Sequence, residues 1–174
     1  VKSSTPAPCR EKLKSALKII MNGDSSELND FIQDFRKKFM ELPVEEIAYP
    51  RSVNGLDKFT TSHNLFSKGA PIHCKGAILY NHLLRKQKLT HKYPFIQEGD
   101  KIKFVHMKTP NVYQSTAMSF MTRLPKEFNV QDNIDYDMQF EKSFMEPLKF
   151  ITDKIRWKLD ESYGTQGTLE EFFV

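Results

Sequence analysis

Two amphipathic segments follow one another near the start of this 174-residue chain, and they constrain its fold more than any other feature. The first follows Pro8 and ends at Gly23, a residue type that commonly terminates helices. Its apolar residues recur at helical spacing: Leu13, Ala16, Leu17, Ile20 and Met21. The second begins with the capping-box pair Asp24 and Glu27 and ends before Pro43. Its apolar stripe consists of Leu28, Phe31, Ile32, Phe35, Phe39 and Leu42. The pattern predicts a helical hairpin.

The remainder of the chain alternates between helical and strand patterns. Helices are predicted at 75–88 and at 134–158, and Pro147 should kink the second of them. Strand patterns occur at 47–49, 101–107 and 117–121, and the last two are expected to pair. The predicted fold class is therefore α+β, with the hairpin and further helices packed against a small, mostly antiparallel sheet.

Charge is distributed unevenly along the chain. All 26 lysines and arginines lie in residues 1–158, together with 18 of the 22 acidic residues, so this part carries a net charge of +8. The four acidic residues beyond it are Asp160, Glu161, Glu170 and Glu171. A basic body indicates a polyanionic partner, although a solvated lysine-rich surface is the alternative. The chain is accordingly divided into a domain at 1–160 and a tail at 161–174.

The tail has the spacing of a peptide that inserts into a hydrophobic pocket of another protein. Gln166, Leu169, Phe172 and Phe173 combine a polar residue with three apolar anchors that one helical turn would place on one side. This spacing resembles the peptides by which replication proteins bind a sliding clamp. The alternative is a tail that packs against its own domain, and the spacing alone does not decide between the two.

A second candidate site lies in the irregular segment between the hairpin and the next helix. Lys68, His73 and Lys75 flank a Gly-Ala-Pro turn that leads into a helix. Cations beside the backbone N–H groups of a helix start are suited to binding a phosphodiester. Small polar residues that could reach phosphate or sugar oxygens are Ser3, Ser4, Ser52 and Asn54. Ordinary solvated loop residues are the alternative interpretation.

Patterns that would indicate catalysis or metal binding are absent or weak in the sequence. Cys9 and Cys74 have neither metal-ligand spacing nor a disulfide framework, which indicates reduced thiols in a cytosolic protein. The cluster Asp132, Asp135 and Asp137 could hold two metal ions, which makes a metal-dependent nuclease one alternative. Its position at a predicted helix start favours capping instead. No phosphate-binding loop, nucleophile elbow, signal peptide or membrane span occurs.

Taken in order, several segments resemble the thumb domain of family B DNA polymerases of the T-even bacteriophage type, marine relatives included. The matching segments are 1–6 with the hairpin after it, 51–54 with Lys58, 68–81, 98–102, 136–137, 140–148 and the tail. The order and spacing of these segments across nearly the whole chain carry the resemblance, rather than any single motif.

The resemblance implies roles for individual residues. Lys68 and Lys75 would bind phosphates of the primer–template duplex just behind the polymerase active site, with His73 as a weaker candidate. Lys142 would also face the DNA. Glu146 departs from the pattern, because some relatives carry a second cation there, and it is not assigned to the interface. Polar residues assigned to the DNA backbone are Ser52 and Asn54, and those placed where the palm joins the thumb are Ser3 and Ser4.

The resemblance also implies what the chain lacks. In this family the catalytic carboxylates, with their Mg²⁺ ions, belong to the palm and the proofreading carboxylates to the exonuclease domain. The chain begins without Met, which indicates a fragment of a longer polypeptide. The resemblance implies that this fragment follows those domains, contains no catalytic residue or cofactor, and contributes processivity. Its partners would be primer–template DNA, a sliding clamp and the palm of the same polypeptide, in the cytoplasm of a bacterial host. A stand-alone clamp-binding adaptor with an incidental basic surface is the alternative.

Overall fold

The two predicted helices at the start of the chain form the hairpin. The computed structural model describes residues 4–60, 69–157 and 159. Helix α1 spans Ala7–Asn22 and helix α2 spans Ser25–Phe39. The side chain of Asp24 accepts a hydrogen bond of 2.9 Å from the backbone N–H of Glu27, which caps α2 as the sequence predicts. The hairpin is therefore confirmed, with both of its ends set by local sequence signals.

Three antiparallel strands form a small sheet in the order β1-β2-β3. The strands are β1 at Tyr49–Ser52, β2 at Lys101–His106 and β3 at Ala117–Phe120. The pairing of β2 with β3 is confirmed, and so is the α+β fold class. The strand predicted at 47–49 is wrong in its first residues, because Val44–Ile47 form a short helix, α3. Glu45 and Glu46 in the first turn of α3 favour a helix start through the helix dipole.

Helix α5 packs directly on strand β3. It spans Ile72–Lys86, after the short helix α4 at Leu56–Phe59, and begins three residues before the predicted start. A Cβ atom on Gly76 would lie 2.4 Å from the Ser119 Oγ and 2.7 Å from the Ser119 backbone nitrogen, so this approach requires glycine. The Ser119 hydroxyl donates to the His73 carbonyl at 2.8 Å, which holds the start of α5 against the sheet.

The last helix is continuous along the chain but irregular in its hydrogen bonding. It consists of α6 at Tyr136–Phe140, a π-helical turn at Glu141–Met145 and α7 at Glu146–Lys154. The irregular turn falls immediately before Pro147, where the sequence predicts a kink, because proline has no N–H group to continue the α-helical pattern. The helix ends at Lys154, four residues before the predicted end.

Aromatic side chains join the hairpin to the last helix. Phe35 and Phe39 of α2 pack against Phe140 and Phe144, and ring centroids within this cluster lie 4.9–5.9 Å apart. All four side chains are buried. Aromatic pairs of this kind contribute about 0.5–1.5 kcal/mol each beyond the area that they bury. The cluster therefore fixes the last helix against the hairpin.

A buried glutamine ties the last helix to the sheet. The Gln139 side-chain carbonyl accepts a hydrogen bond of 2.9 Å from the backbone N–H of His106 in β2. The Gln139 side-chain amide donates to the carbonyl of Ile47 in α3 at 2.8 Å. Since Gln139 is fully buried, both bonds are shielded from water. These bonds hold the start of the last helix beside β2 and α3.

Candidate nucleic-acid interface

The structure describes part of the set of predicted site residues. Those that lie outside the described residues are Ser3, Lys68 and the tail residues Gln166, Leu169, Phe172 and Phe173. The described DNA-binding candidates are Ser4, Ser52, Asn54, His73, Lys75 and Lys142. They lie in two groups, and Arg51, which the sequence reasoning did not assign to the site, lies between them.

The first group lies where β1 ends and α5 begins. Ser52 and Asn54 are exposed, and the half-buried His73 side chain is hydrogen-bonded to the backbone of Ser52. The Cys74 thiol donates to the Asn54 carbonyl at 3.5 Å. Lys75 is the next residue, half-buried in the first turn of α5. The structure therefore brings residues 52–54 and the start of α5 together, although 20 residues separate Asn54 from Cys74 in the sequence.

The carboxylate of Glu98 holds the loop after β1 in place. Its two oxygens accept hydrogen bonds from the backbone N–H groups of Gly55 and Leu56, at 2.6 and 2.7 Å. The Val53 backbone N–H donates to the Asp100 carbonyl, and the Val53 carbonyl accepts from the Gly99 N–H, which adds to this contact. The sequence places Glu98 in the segment 98–102 that carries the resemblance, but no local pattern indicates its support for the position of Asn54.

Strand pairing creates an aromatic surface on one face of the sheet. Tyr49 pairs with Phe104, and because opposed residues and alternate residues of a strand share a face, Arg51 and His106 lie on that face too. The ring centroids of Tyr49 and Phe104 are 5.3 Å apart, and those of Phe104 and His106 are 5.8 Å apart. His73, from the start of α5, lies 6.2 Å from Phe104, measured between ring centroids.

Arg51 lies over this aromatic surface with its charge exposed. Its guanidinium carbon is 5.7 Å from the centroid of the Phe104 ring and 6.0 Å from that of the Tyr49 ring. Cation–π contacts orient a guanidinium group without neutralising it. The side chain also donates to the Pro50 carbonyl at 3.0 Å, and its other N–H groups can form the planar fork that phosphate oxygens accept.

The second group lines a groove of about 740 Å³ between α1, β1 and the last helix. Its polar lining consists of Ser4, Thr5, Tyr49, Arg51, Lys142 and Glu146, and its apolar lining of Leu13, Leu17, Pro147, Phe150 and Ile151. Lys142 is exposed in the π-helical turn. Its neighbour Ser143 is hydrogen-bonded through its hydroxyl to the Tyr49 hydroxyl at 2.7 Å, which anchors this turn against β1.

Burial and nearby cations keep two histidines of this surface uncharged. Burial lowers the pKa of His73, and the nearby Arg51 lowers it further, against the hydrogen bond to the Ser52 backbone. Burial also lowers the pKa of His106, with a further contribution from Lys142 and an opposing one from Asp135. Both imidazoles are therefore neutral at pH 7.

Acidification is expected to destabilise the protein through these histidines. Because the pKa of His73 and of His106 is lower in the folded chain than the unfolded value of about 6.5, the unfolded chain binds protons first as the pH falls. The free energy of unfolding, measured in urea, should be level from pH 8 to pH 7 and fall from about pH 6.5 to pH 5. Unfolded carboxylates titrate mainly below this window.

A matched pair of variants isolates the histidine contribution. His106→Gln removes the buried imidazole and should reduce the loss of stability on acidification. His82→Gln changes an exposed histidine on α5 and should leave the loss as it is in the unaltered chain. If both variants lost the same unfolding free energy on acidification, the loss would not come from the buried His106 imidazole.

The structure also bears on the alternative functions. Asp135 caps α6 by accepting a hydrogen bond of 3.0 Å from the Met138 backbone, and Asp137 forms an ion pair with Arg36. These contacts agree with the capping interpretation of the acidic cluster. Among the described residues, no three histidine, cysteine or acidic side chains are grouped as a metal site would need. None of the described helices has the length and apolar character to cross a membrane.

Comparison with known proteins relates the chain to a viral polymerase. No protein-family model matches the sequence. Over 150 residues, 84% of the chain, the sequence is 25% identical to the DNA-directed DNA polymerase of Enterobacteria phage T4. The matched region is 16% of that polymerase, so the chain spans about a sixth of the length of the relative. The chain is thus similar to one region of a phage DNA polymerase and distantly related to it.

Proposed function

We propose that this chain is the thumb of a replicative DNA polymerase, which holds the backbone of the primer–template duplex and binds a sliding clamp through its tail. One observation carries the DNA-binding half of the proposal. Ser4, Arg51, His73 and Lys142 surround one face of the sheet, in a chain that is similar to a DNA polymerase. The clamp-binding half rests on the spacing of the apolar residues in the tail.

The proposed interface would bind phosphates rather than base edges. The guanidinium of Arg51 and the ammonium of Lys142 would neutralise phosphates, and the hydroxyl groups of Ser4 and Ser52 would form hydrogen bonds with backbone oxygens. Contacts of this kind do not depend on the base sequence of the DNA. A polymerase must accept any product sequence as the duplex advances, so such contacts are suited to processive synthesis.

Neutral groups complete the proposed surface. Burial raises the pKa of Tyr49 to about 12, so its hydroxyl stays protonated and keeps its hydrogen bond with Ser143. The aromatic face beneath Arg51 sets the direction of the guanidinium group. Arg51 is therefore oriented before the duplex arrives, which lowers the entropy lost on binding.

The salt dependence of duplex binding tests the DNA-binding half. Fluorescence anisotropy of a labelled duplex, titrated with this chain over a salt series, should give a log affinity that falls linearly with log salt concentration. The slope should be the same for duplexes of unrelated sequence, because phosphate contacts do not read bases. Affinity that is insensitive to salt, or strongly dependent on base sequence, would argue against the proposal.

Truncation of the tail tests the clamp-binding half. Removing residues 172–174 should abolish binding to a sliding clamp of a T-even phage, because two of the three apolar anchors are lost. The control is Thr168→Ala, which changes the residue before the first apolar anchor, Leu169, and should keep clamp binding. Circular dichroism and thermal unfolding should show that the truncated domain is folded. If the truncated chain still bound the clamp, this half of the proposal would be contradicted. If the truncated chain were unfolded, the tail would instead be part of the folded core.

A further inference from the structure

Contacts to a DNA backbone leave part of the groove unexplained. The groove has an apolar wall from α1 and α7, in which Phe150 is 65% exposed and Leu17 and Ile151 are half-buried. Phosphate and sugar groups gain nothing from an apolar wall. Exposed apolar side chains beside charged groups are typical of a surface that binds a protein segment.

We propose that residues 160–174 of the same chain occupy this groove when no clamp is bound. The tail aromatic residues would contact the apolar wall, and the tail carboxylates would lie next to Arg51 and Lys142. This inference rests on the proposed function, because the same two cations would bind DNA phosphates. The tail would therefore be an intramolecular competitor of the duplex.

Charge and polarity favour this occupant. Residues 160–174 contain Leu169, Phe172 and Phe173 as apolar anchors, four acidic residues when Asp160 is included, and no lysine or arginine. The groove contains Arg51 and Lys142, and the ammonium nitrogen of Lys154 lies 4.2 Å from the centroid of the Phe150 ring. Among the lining residues, Glu146 opposes Arg51 and Lys142 with a single negative charge. The groove and the tail are thus complementary in charge, and both present apolar groups.

The length of the chain permits docking. Ile151 lines the groove and precedes Leu159 by eight residues, so their Cα atoms are at most about 30 Å apart. The fifteen residues after Leu159 can span up to about 50 Å. The aromatic anchors near the end of the tail can therefore reach the groove without any rearrangement of the domain.

Docking would couple DNA binding to clamp binding. Tail carboxylates and DNA phosphates cannot contact Arg51 and Lys142 at the same time, so a docked tail lowers the affinity for duplex. A clamp that binds the tail would free the groove. Because such coupling is reciprocal, duplex in the groove would in turn strengthen clamp binding.

A spin label on the tail tests the docking. Cys9 and Cys74 are buried, so a nitroxide attached to the full chain carrying Thr168→Cys would label the tail selectively. Methyl NMR signals of Leu17 and Ile151 should be broadened by the label, and the broadening should not change on dilution. Substituting Phe150→Ser in the labelled chain should remove it, and Phe150 is exposed enough for this change to leave the fold intact. Absence of broadening, or broadening that disappears on dilution, would overturn the inference.

Duplex binding separates this inference from the proposed function. Phe172→Ala with Phe173→Ala should raise the affinity for duplex at least about twofold without a clamp, if the tail is docked for half of the time or more. Addition of duplex should also reduce the broadening at Leu17 and Ile151. Duplex binding at the groove without any broadening would keep the proposed function and reject docking. Broadening in a chain that does not bind duplex would keep docking and reject the proposed function.

Discussion

The double variant Arg51→Gln, Lys142→Gln should bind duplex DNA with an affinity on the order of 100-fold lower than the unaltered chain at about 0.1 M salt. Each cation is exposed at the groove, and each would release counterions from one phosphate on binding. Loss of both contacts should reduce the slope of log affinity against log salt concentration by about two units. The measurement is the anisotropy of a labelled duplex over a salt series, with the full chain.

The control for this prediction removes the same charge elsewhere. Lys86 lies at the far end of α5 from His73, and Lys126 lines a different cavity beside Arg123. Lys86→Gln with Lys126→Gln lowers the net charge equally, so it should change affinity only through the overall field of the protein. If the two double variants lost affinity and slope to the same extent, the groove would have no special role in DNA binding.

Replacing Gln139 with leucine should lower the free energy of unfolding by about 2–6 kcal/mol. The change leaves the His106 N–H and the Ile47 carbonyl without their side-chain partner in a site that water does not reach. Each buried group left unpaired costs about 1–3 kcal/mol. Urea unfolding monitored by circular dichroism should show a lower midpoint with an unchanged slope.

Gln97→Leu is the matched control for this loss of stability. Gln97 is exposed, so the same substitution there should change the free energy of unfolding by less than about 0.5 kcal/mol. The two glutamines therefore separate the buried hydrogen bonds from the change of residue type. A stability of Gln139→Leu equal to that of Gln97→Leu would show that Gln139 does not hold the last helix to the sheet.

The fold could be predicted where the signals are local. The hairpin follows from apolar periodicity and from the cap that Asp24 forms with Glu27. Both signals relate residues only three or four positions apart in the sequence. The strand predicted at 47–49 wrongly includes Ile47, the last residue of α3, because three apolar residues carry little periodic information. The π-helical turn, by contrast, depends on Pro147 and on contacts of Gln139 with distant elements, so the sequence predicts an irregularity but not its form.

The candidate site was less predictable because its residues meet through long-range pairing. The resemblance assigns Lys142 to the DNA, Ser4 is a candidate as a small polar residue, and only the fold places both in one groove with Arg51. Arg51 lies in the segment 51–54 that carries the resemblance, yet its role depends on the pairing of Tyr49 with Phe104. That register is set by tertiary structure, so no local pattern in β1 could have revealed the aromatic surface under the guanidinium. The DNA-binding and clamp-binding assignments remain predictions.

Backbone NMR of the isotope-labelled chain, titrated with duplex at low salt, tests whether this face of the sheet binds DNA. We expect the largest shifts of amide signals at Arg51, His73 and Lys142, around one face of the sheet. Because this measurement detects weak binding, it does not require the rest of a polymerase. Shifts confined to the other cationic surface, at Arg123 and Lys126, or no shifts at Arg51 and Lys142, would contradict the claim that this face holds the duplex.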